Sequence, residues 1–342
     1  MEPYLPDAAR LALFREALPA TSAGIYLDTL TAGPLPAETA RAMEEADGWD
    51  LRTGRAGLNR AADVLQRMEE ARGVLAALIA ADPDDILLTH GVGDALALAR
   101  RLAGDHDLRV VDHVDPRTGA EASIEEVVAQ AGHAALVALD AGSSAGVLPI
   151  DAPALGVAFL ALSGQRWLLG PEGTGALWID RARVPNAPRV PDVPAGPLAP
   201  GSDPLPRRSV LGLARSVGWL EMYIGLPWIH ERTARLAVAL RAELAAIPGV
   251  TLLTPEGSRS GIASFRIAGW PAEAAADELG ARVFAILGAP PSADVLRLSF
   301  GAFNSEEELS RLAQTIELLA RHTPQTLPRH PSLVMLTATD AS

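Results

Sequence analysis

Apolar positions recur along the first eighty residues at helical spacing. Residues 1–20 read as a helix that is polar on one face, and residues 37–80 read as a helix, a glycine break at Gly54–Gly57 and a second long helix. Between them, Ile25-Tyr26-Leu27 is a short apolar run ending at Asp28, followed by the turn-rich Thr31-Ala32-Gly33-Pro34. The rhythm then changes. Ile86–Thr89 reads as a buried strand, His90–Asp94 as a glycine-rich turn, and the Ala/Leu-rich stretch after it as a helix. Strands follow at 109–111, 135–139, 157–162 and 175–179, with a helix at 121–130. Strands alternating with helices predict a mostly parallel sheet covered on both faces.

Residues 184–206 are rich in proline and read as an irregular excursion. Beyond them, 208–247 is helical, and 250–253, 261–267 and 295–300 are strands interleaved with helices at 271–280 and 305–321. The fold class expected is α/β, with a large sheet domain over 24–215 and a small C-terminal α+β domain over 216–322. The segment 1–23 is expected to pack on the small domain, and 323–342 reads as a loosely held tail. No internal repeat is visible.

Composition narrows the chemistry. All 29 basic residues counted as lysine plus arginine are arginine, so no side chain offers a primary amine for a Schiff base. A guanidinium stays protonated and delocalised and cannot replace it as a nucleophile. The exclusive use of arginine, beside abundant Ala, Gly and Pro, is read as genome composition. There are no cysteines, which removes disulfides, thiolate metal sites and persulfide relay. The net charge of −13 disfavours nucleic acid and anionic membranes as partners. No run of apolar residues is long enough to cross a bilayer, and the N-terminus lacks a signal pattern, so the expected location is cytoplasmic. The histidines show no ligand spacing and no metal site is expected. No nucleophile-elbow motif is present.

Several segments, in order, resemble the class V aminotransferase branch of fold type I pyridoxal-phosphate enzymes, which includes cysteine desulfurases, isopenicillin N epimerase-like proteins and hercynylcysteine sulfoxide lyase-like proteins. They are Tyr26-Leu27-Asp28 through Gly33–Pro36, Leu88-Thr89-His90-Gly91, Leu139-Asp140-Ala141-Gly142, SGQRWLLGPEGTGALWI at 163–179, and Val295–Ser299 with Phe303-Asn304. The 163–175 stretch is the most specific. The resemblance implies the pyridoxal-phosphate transferase fold, a homodimer, and cofactor contacts at Gly91, Val92, Gly93, Asp140, Ser143 and Thr174. It implies that Asp140 faces a pyridine nitrogen, that Arg297 fixes a substrate carboxylate, and that the Gly173-Thr174-Gly175 loop reaches across the dimer.

The departures carry as much information. The family's lysine falls on Arg166, and the residue before it, usually histidine, is Gln165. Gly93 stands where a threonine is common. The aromatic or histidine that stacks on the ring falls near Asp115. The interval from Val111 to Asp140 is short for the family, as though a strand and helix of roughly 30 residues were missing.

Each candidate also has a plain structural reading. Gly91 and Gly93 are either an anion cradle at a helix start or a tight turn capped by Asp94. Asp140 either faces a ligand or caps its own turn. Arg166 either holds a carboxylate or phosphate, or pairs with Asp140 and fills the pocket; the pair is the favoured expectation. Arg297 is either a carboxylate anchor or a structural residue, and His90 and His113 are either proton carriers or hydrogen-bonded structural groups.

Three functions are therefore carried forward. The first is a degenerate family member that forms no Schiff base and binds a small anionic or amino-acid ligand. The second is a lysine-independent enzyme acting on an amino acid with pyridoxal or pyridoxamine phosphate held non-covalently. The third is an inactive subunit paired with an active paralogue.

Overall fold

A computed structural model describes residues 6–132, 135–187 and 204–329. The N-terminal helix α1 (Asp7–Glu16) leads through a short 3-10 turn into β1 (Ile25–Tyr26). Helices α2 (Ala37–Thr53) and α3 (Leu58–Leu78) are separated by Gly54 and Gly57, both at positive φ, where glycine is needed to reverse the chain. Then come β2 (Ile86–Thr89), α4 (Val92–Ala103), β3 (Leu108–Asp112), α5 (Ile124–Ala131), β4 (Leu136–Asp140), β5 (Phe159–Ser163) and β6 (Gly175–Ile179).

These strands form one five-stranded sheet in the order β2-β6-β5-β4-β3. β3, β4 and β5 run parallel, while β6 is antiparallel to both β2 and β5. Helix α4 lies diagonally across one face and touches all five strands, because it must carry the chain from one edge of the sheet to the other. Alternation along each strand sorts side chains between two cores. Leu87, Ala138, Phe159, Ala161 and Leu177 face α4. Leu88, Leu139, Leu160, Leu162 and Trp178 face α3 and a further helix, α6 (Arg207–Trp219).

Between Val111 and Asp140, β3 and β4 are direct parallel neighbours, with Val111 opposite Leu139, and α5 joins them. Among the described residues β3 is an edge strand of the sheet, reached from α4 through Gly104–Asp107.

The helical stretch expected at 208–247 consists of two helices. α6 passes into a π-helical turn (Leu220–Ile224), and Gly225, at φ 91°, resets the chain for α7 (Leu226–Ala246). β7 (Val250–Leu252), β8 (Ile262–Ile267) and β10 (Leu296–Ser299) make an antiparallel sheet in the order β10-β8-β7. Helices α7, α8 (Ala272–Val283) and α9 (Glu306–Ala320) pack on one face of it. The two-residue β9 (Ala285–Ile286) pairs in parallel with β1. Ile25 and Leu27 are buried in the small-domain core, so the boundary expected at residue 24 lies nearer Thr29. Of the excursion expected at 184–206, residues 188–203 lie outside the described residues, as does the tail beyond 329.

Candidate functional site

Three parallel strands end at one edge of the large sheet. Register places Asp112 of β3 beside Asp140 of β4, and Ser163 of β5 beside Gly175 of β6, which in turn faces Thr89 of β2. The turns that follow these positions therefore converge, as ligand sites on α/β sheets do. They enclose a cavity of about 510 Å³ lined by Gly91, Val92 and Gly93 on one side, Ser163, Gln165 and Arg166 on a second, and Thr31, Pro116 and Arg297 on a third, with His90 and Leu30 also on the wall.

The α4 end of the cavity is a cradle. Gly91 caps the helix at φ 138°, and a Cβ added at Gly91 or Gly93 would meet nothing within 4 Å. The first-turn N–H groups of a helix have no intrahelical acceptor, and the helix dipole favours negative charge there. Asp94 turns back to accept the His90 N–H at 3.1 Å, so its carboxylate closes the turn before the helix.

Arg166 stands at the opposite wall. Its Nη1 donates to the Ser143 hydroxyl at 3.3 Å, and no carboxylate forms a direct ion pair with it among the described residues. The salt bridge expected between Arg166 and Asp140 is thus not made. Asp140 Oδ1 is turned instead to the Gly142 N–H at 2.8 Å. The three groups meet at Gly142, where an added Cβ would lie 2.8 Å from Arg166 Nη1 and 3.0 Å from Asp140 Oδ1. The charges still feel each other. Burial pushes the Asp140 carboxyl above its usual range, against the pull of the Gly142 amide and Arg166. Burial lowers the Arg166 guanidinium, and Asp140 and Asp112 oppose that shift.

Arg297 projects from β10 of the small domain and donates from Nη1 to the Pro116 carbonyl at 3.2 Å. Burial lowers its pKa; nearby Asp28 opposes this and Arg166 adds to it. The two guanidinium groups are therefore close enough to repel each other across the cleft.

The other sequence candidates are held by local hydrogen bonds. Gln165 bridges two loops, donating to the Thr31 carbonyl at 3.0 Å and accepting from the Gly173 N–H at 3.1 Å. Thr174 is fully buried and donates to the Pro171 carbonyl at 2.6 Å, so its hydroxyl serves its own loop. His113 Nδ1 lies 2.9 Å from the buried Ser144 hydroxyl, and burial lowers its pKa. Asp115 accepts from Arg117 N–H and the Thr118 hydroxyl within its own turn.

Two acids were missed. Asp28 and Asp112 both have carboxyls raised chiefly by burial. Asp28 feels Arg297, and Asp112 feels Asp140 and Arg166. Asp28 was legible only as the polar end of an apolar run, and Asp112 only through its register with Asp140.

A Schiff-base cofactor does not fit this donor set. There is no side-chain primary amine, the lysine position carries a guanidinium close to Gly142, and His90 is the one aromatic ring among the described residues that line the cavity. Among the described residues no group of three or more acidic or histidine side chains could hold a metal ion, and no helix is long and apolar enough to cross a membrane.

The class V aminotransferase family model matches residues 101–191. The chain is 30% identical to isopenicillin N epimerase of Streptomyces clavuligerus over 209 residues, covering 53% of this chain and 52% of the epimerase. It is 27% identical to a probable cysteine desulfurase of Xylella fastidiosa over 252 residues, covering 66% of this chain and 60% of that one. The match thus spans little more than half the length of these relatives. Among solved structures, an apo cysteine desulfurase from Thermococcus onnurineus superposes with a TM-score of 0.74 at 20% identity, covering 90% of this chain and 97% of that one. A lysine-to-alanine mutant of C-DES with glycine covalently linked to its pyridoxal-phosphate cofactor superposes with a TM-score of 0.73 at 18% identity, covering 89% and 98%. The family match over part of the chain, the curated relatives and the fold agree in likening it to the class V aminotransferase, cysteine desulfurase-like branch of the fold type I pyridoxal-phosphate enzymes.

Proposed function

We propose that this chain binds a small organic anion non-covalently in the cleft between α4, Arg166 and Arg297, and that it performs no Schiff-base chemistry there. One observation carries the reading. A guanidinium has five N–H donors. Among the described residues Arg166 places one on Ser143 and Arg297 one on Pro116, and both side chains line the cleft. Spare donor capacity on two half-buried cations, opposite a helix start bracketed by Gly91 and Gly93, is chemistry matched to a carboxylate or phosphate. Asp140, Asp112 and Asp28 then moderate the positive charge. A homodimer joined near the Gly173 loop belongs to the same proposal, and sedimentation of the purified chain tests it.

The test is calorimetric titration with sulfate and with pyridoxal 5′-phosphate, together with borohydride reduction of the second mixture. Binding of both is expected, with no reduced adduct on any side chain. Arg166→Ala and Arg297→Ala should each weaken sulfate binding about tenfold or more, the effect of losing a charge-assisted hydrogen bond of about 1.5–3 kcal/mol. Unchanged sulfate affinity in both variants overturns the proposal.

A further inference from the structure

Between β3 and α5 the chain makes a closed turn. Val114 pairs with Glu121 as an antiparallel bridge, and Asp115 accepts the Gly119 N–H at 2.8 Å and donates its own N–H to Ala120 at 2.8 Å. The turn belongs to the large domain by sequence, yet its tip is bonded to the small one. Ser258 and Ser260 donate to the Gly119 carbonyl at 2.7 and 2.9 Å. Ser264 donates to the Arg117 carbonyl at 2.5 Å, and Arg297 to that of Pro116. Glu121 Oε1 accepts from the Ser260 N–H at 3.0 Å, the Ser258 hydroxyl at 3.1 Å and the Arg259 N–H. The direction is uniform: the small domain supplies the donors and the turn supplies the acceptors.

Packing closes the joint further. Gly119 has φ 77°, and an added Cβ would lie 3.0 Å from Ile262 Cβ. Beneath it, Val114 and Ile262 sit in one apolar cluster with Trp167, Leu30 and Val147. Arg241 holds the partner loop from behind, donating to the Ser260 and Ile262 carbonyls at 3.3 and 3.1 Å. A hinge needs few such bonds; a set of this density opposes domain opening.

We infer that the turn Val114–Glu121 is an interdomain latch that fixes the cleft's width and positions Arg297, with Glu121 as its principal acceptor. The Pro116 carbonyl takes one N–H of Arg297, which lines the cavity, and thereby orients the guanidinium. The ligand, on this account, enters a preset site and does not close the domains around itself. The inference takes Arg297 as a binding group from the proposed function, and otherwise stands apart from it.

Neither test readout involves an anion, so a failure here is separate from a failure of anion binding. Hydrogen exchange on the full chain is read at Arg259 and Ser260, and phenylglyoxal modification is read at Arg297 by peptide mass spectrometry. Glu121→Ala should speed exchange at both amides about tenfold or more, as expected when bonds worth about 1–3 kcal/mol are lost, and raise Arg297 modification. Glu121→Gln should leave both near wild type, because its Oε1 still accepts. Ser264→Ala, which removes the bond to Arg117, should raise Arg297 modification and serves if Glu121→Ala does not fold. Wild-type exchange and modification in the alanine variants, or equal loosening by Gln and Ala at 121, overturns the latch.

Discussion

Arg232 and Arg166 are both withdrawn from solvent, and they differ in every other respect. Arg232, on α7, is 1% exposed and all five of its N–H donors are taken. Nε donates to the Ala302 carbonyl, Nη1 to Asp7 and Glu306, and Nη2 to the Asn304 carbonyl and Glu306, all between 2.8 and 3.0 Å. Its guanidinium also lies 5.6 Å from the Trp228 ring centroid. It ties α1 to the small domain. Among the described residues Arg166 has one hydrogen bond and no carboxylate in a direct ion pair. A cation that is fully bonded stabilises the fold; one left under-bonded in a cavity is suited to binding something else. The contrast separates structural from functional arginine in a chain that has no lysine to mark the site.

The largest effect that would test the contrast is on stability. Arg232→Met should destabilise the chain by about 3 kcal/mol or more in urea unfolding, since two carbonyls and two carboxylates lose their partner. Arg166→Met should change stability by about 1 kcal/mol or less, because little is left unpaired. Comparable losses in both would erase the distinction.

A second effect is on geometry. Gly142→Ala should weaken sulfate binding several-fold, roughly 1 kcal/mol, without lowering stability as Arg232→Met does, because the new methyl must displace Arg166 Nη1 or Asp140 Oδ1. Wild-type affinity in that variant would show that the guanidinium's position is unimportant.

The smallest effect is on pH. The carboxyls of Asp140, Asp112 and Asp28 are raised, so each favours its protonated form more in the folded cleft than free in water. A bound anion raises them further and takes up protons by linkage. Sulfate, which keeps its charge over this range, should bind more tightly as pH falls from neutrality toward the raised carboxyl range. Affinity that is flat or falling there would count against carboxylates sharing the site.

Much of this was readable beforehand where a rule is local. Period-two apolar runs located all five strands of the large sheet, and the SGQRW stretch placed Arg166 at the cleft. What was missed depends on distance in the chain. Asp112 matters because register sets it beside Asp140, and the latch because serines near 260 meet a turn near 118. The Arg166–Asp140 bridge failed for a local reason: the backbone N–H of Gly142 is a nearer partner for the carboxylate. The π-turn before Gly225 left no trace in apolar spacing, and 208–247 read as helical throughout.

The sheet's outer strand has a consequence for solubility. β3 is short, has no strand neighbour on its far side among the described residues, and exposes Arg109 and Val110 to solvent. Such an edge is a template onto which another chain can add. In-register stacking of two copies would set Arg109 against Arg109 and Asp112 against Asp112, an arrangement that like charges oppose. Arg109 and Asp112 thus guard this rim of the sheet against parallel, in-register self-association.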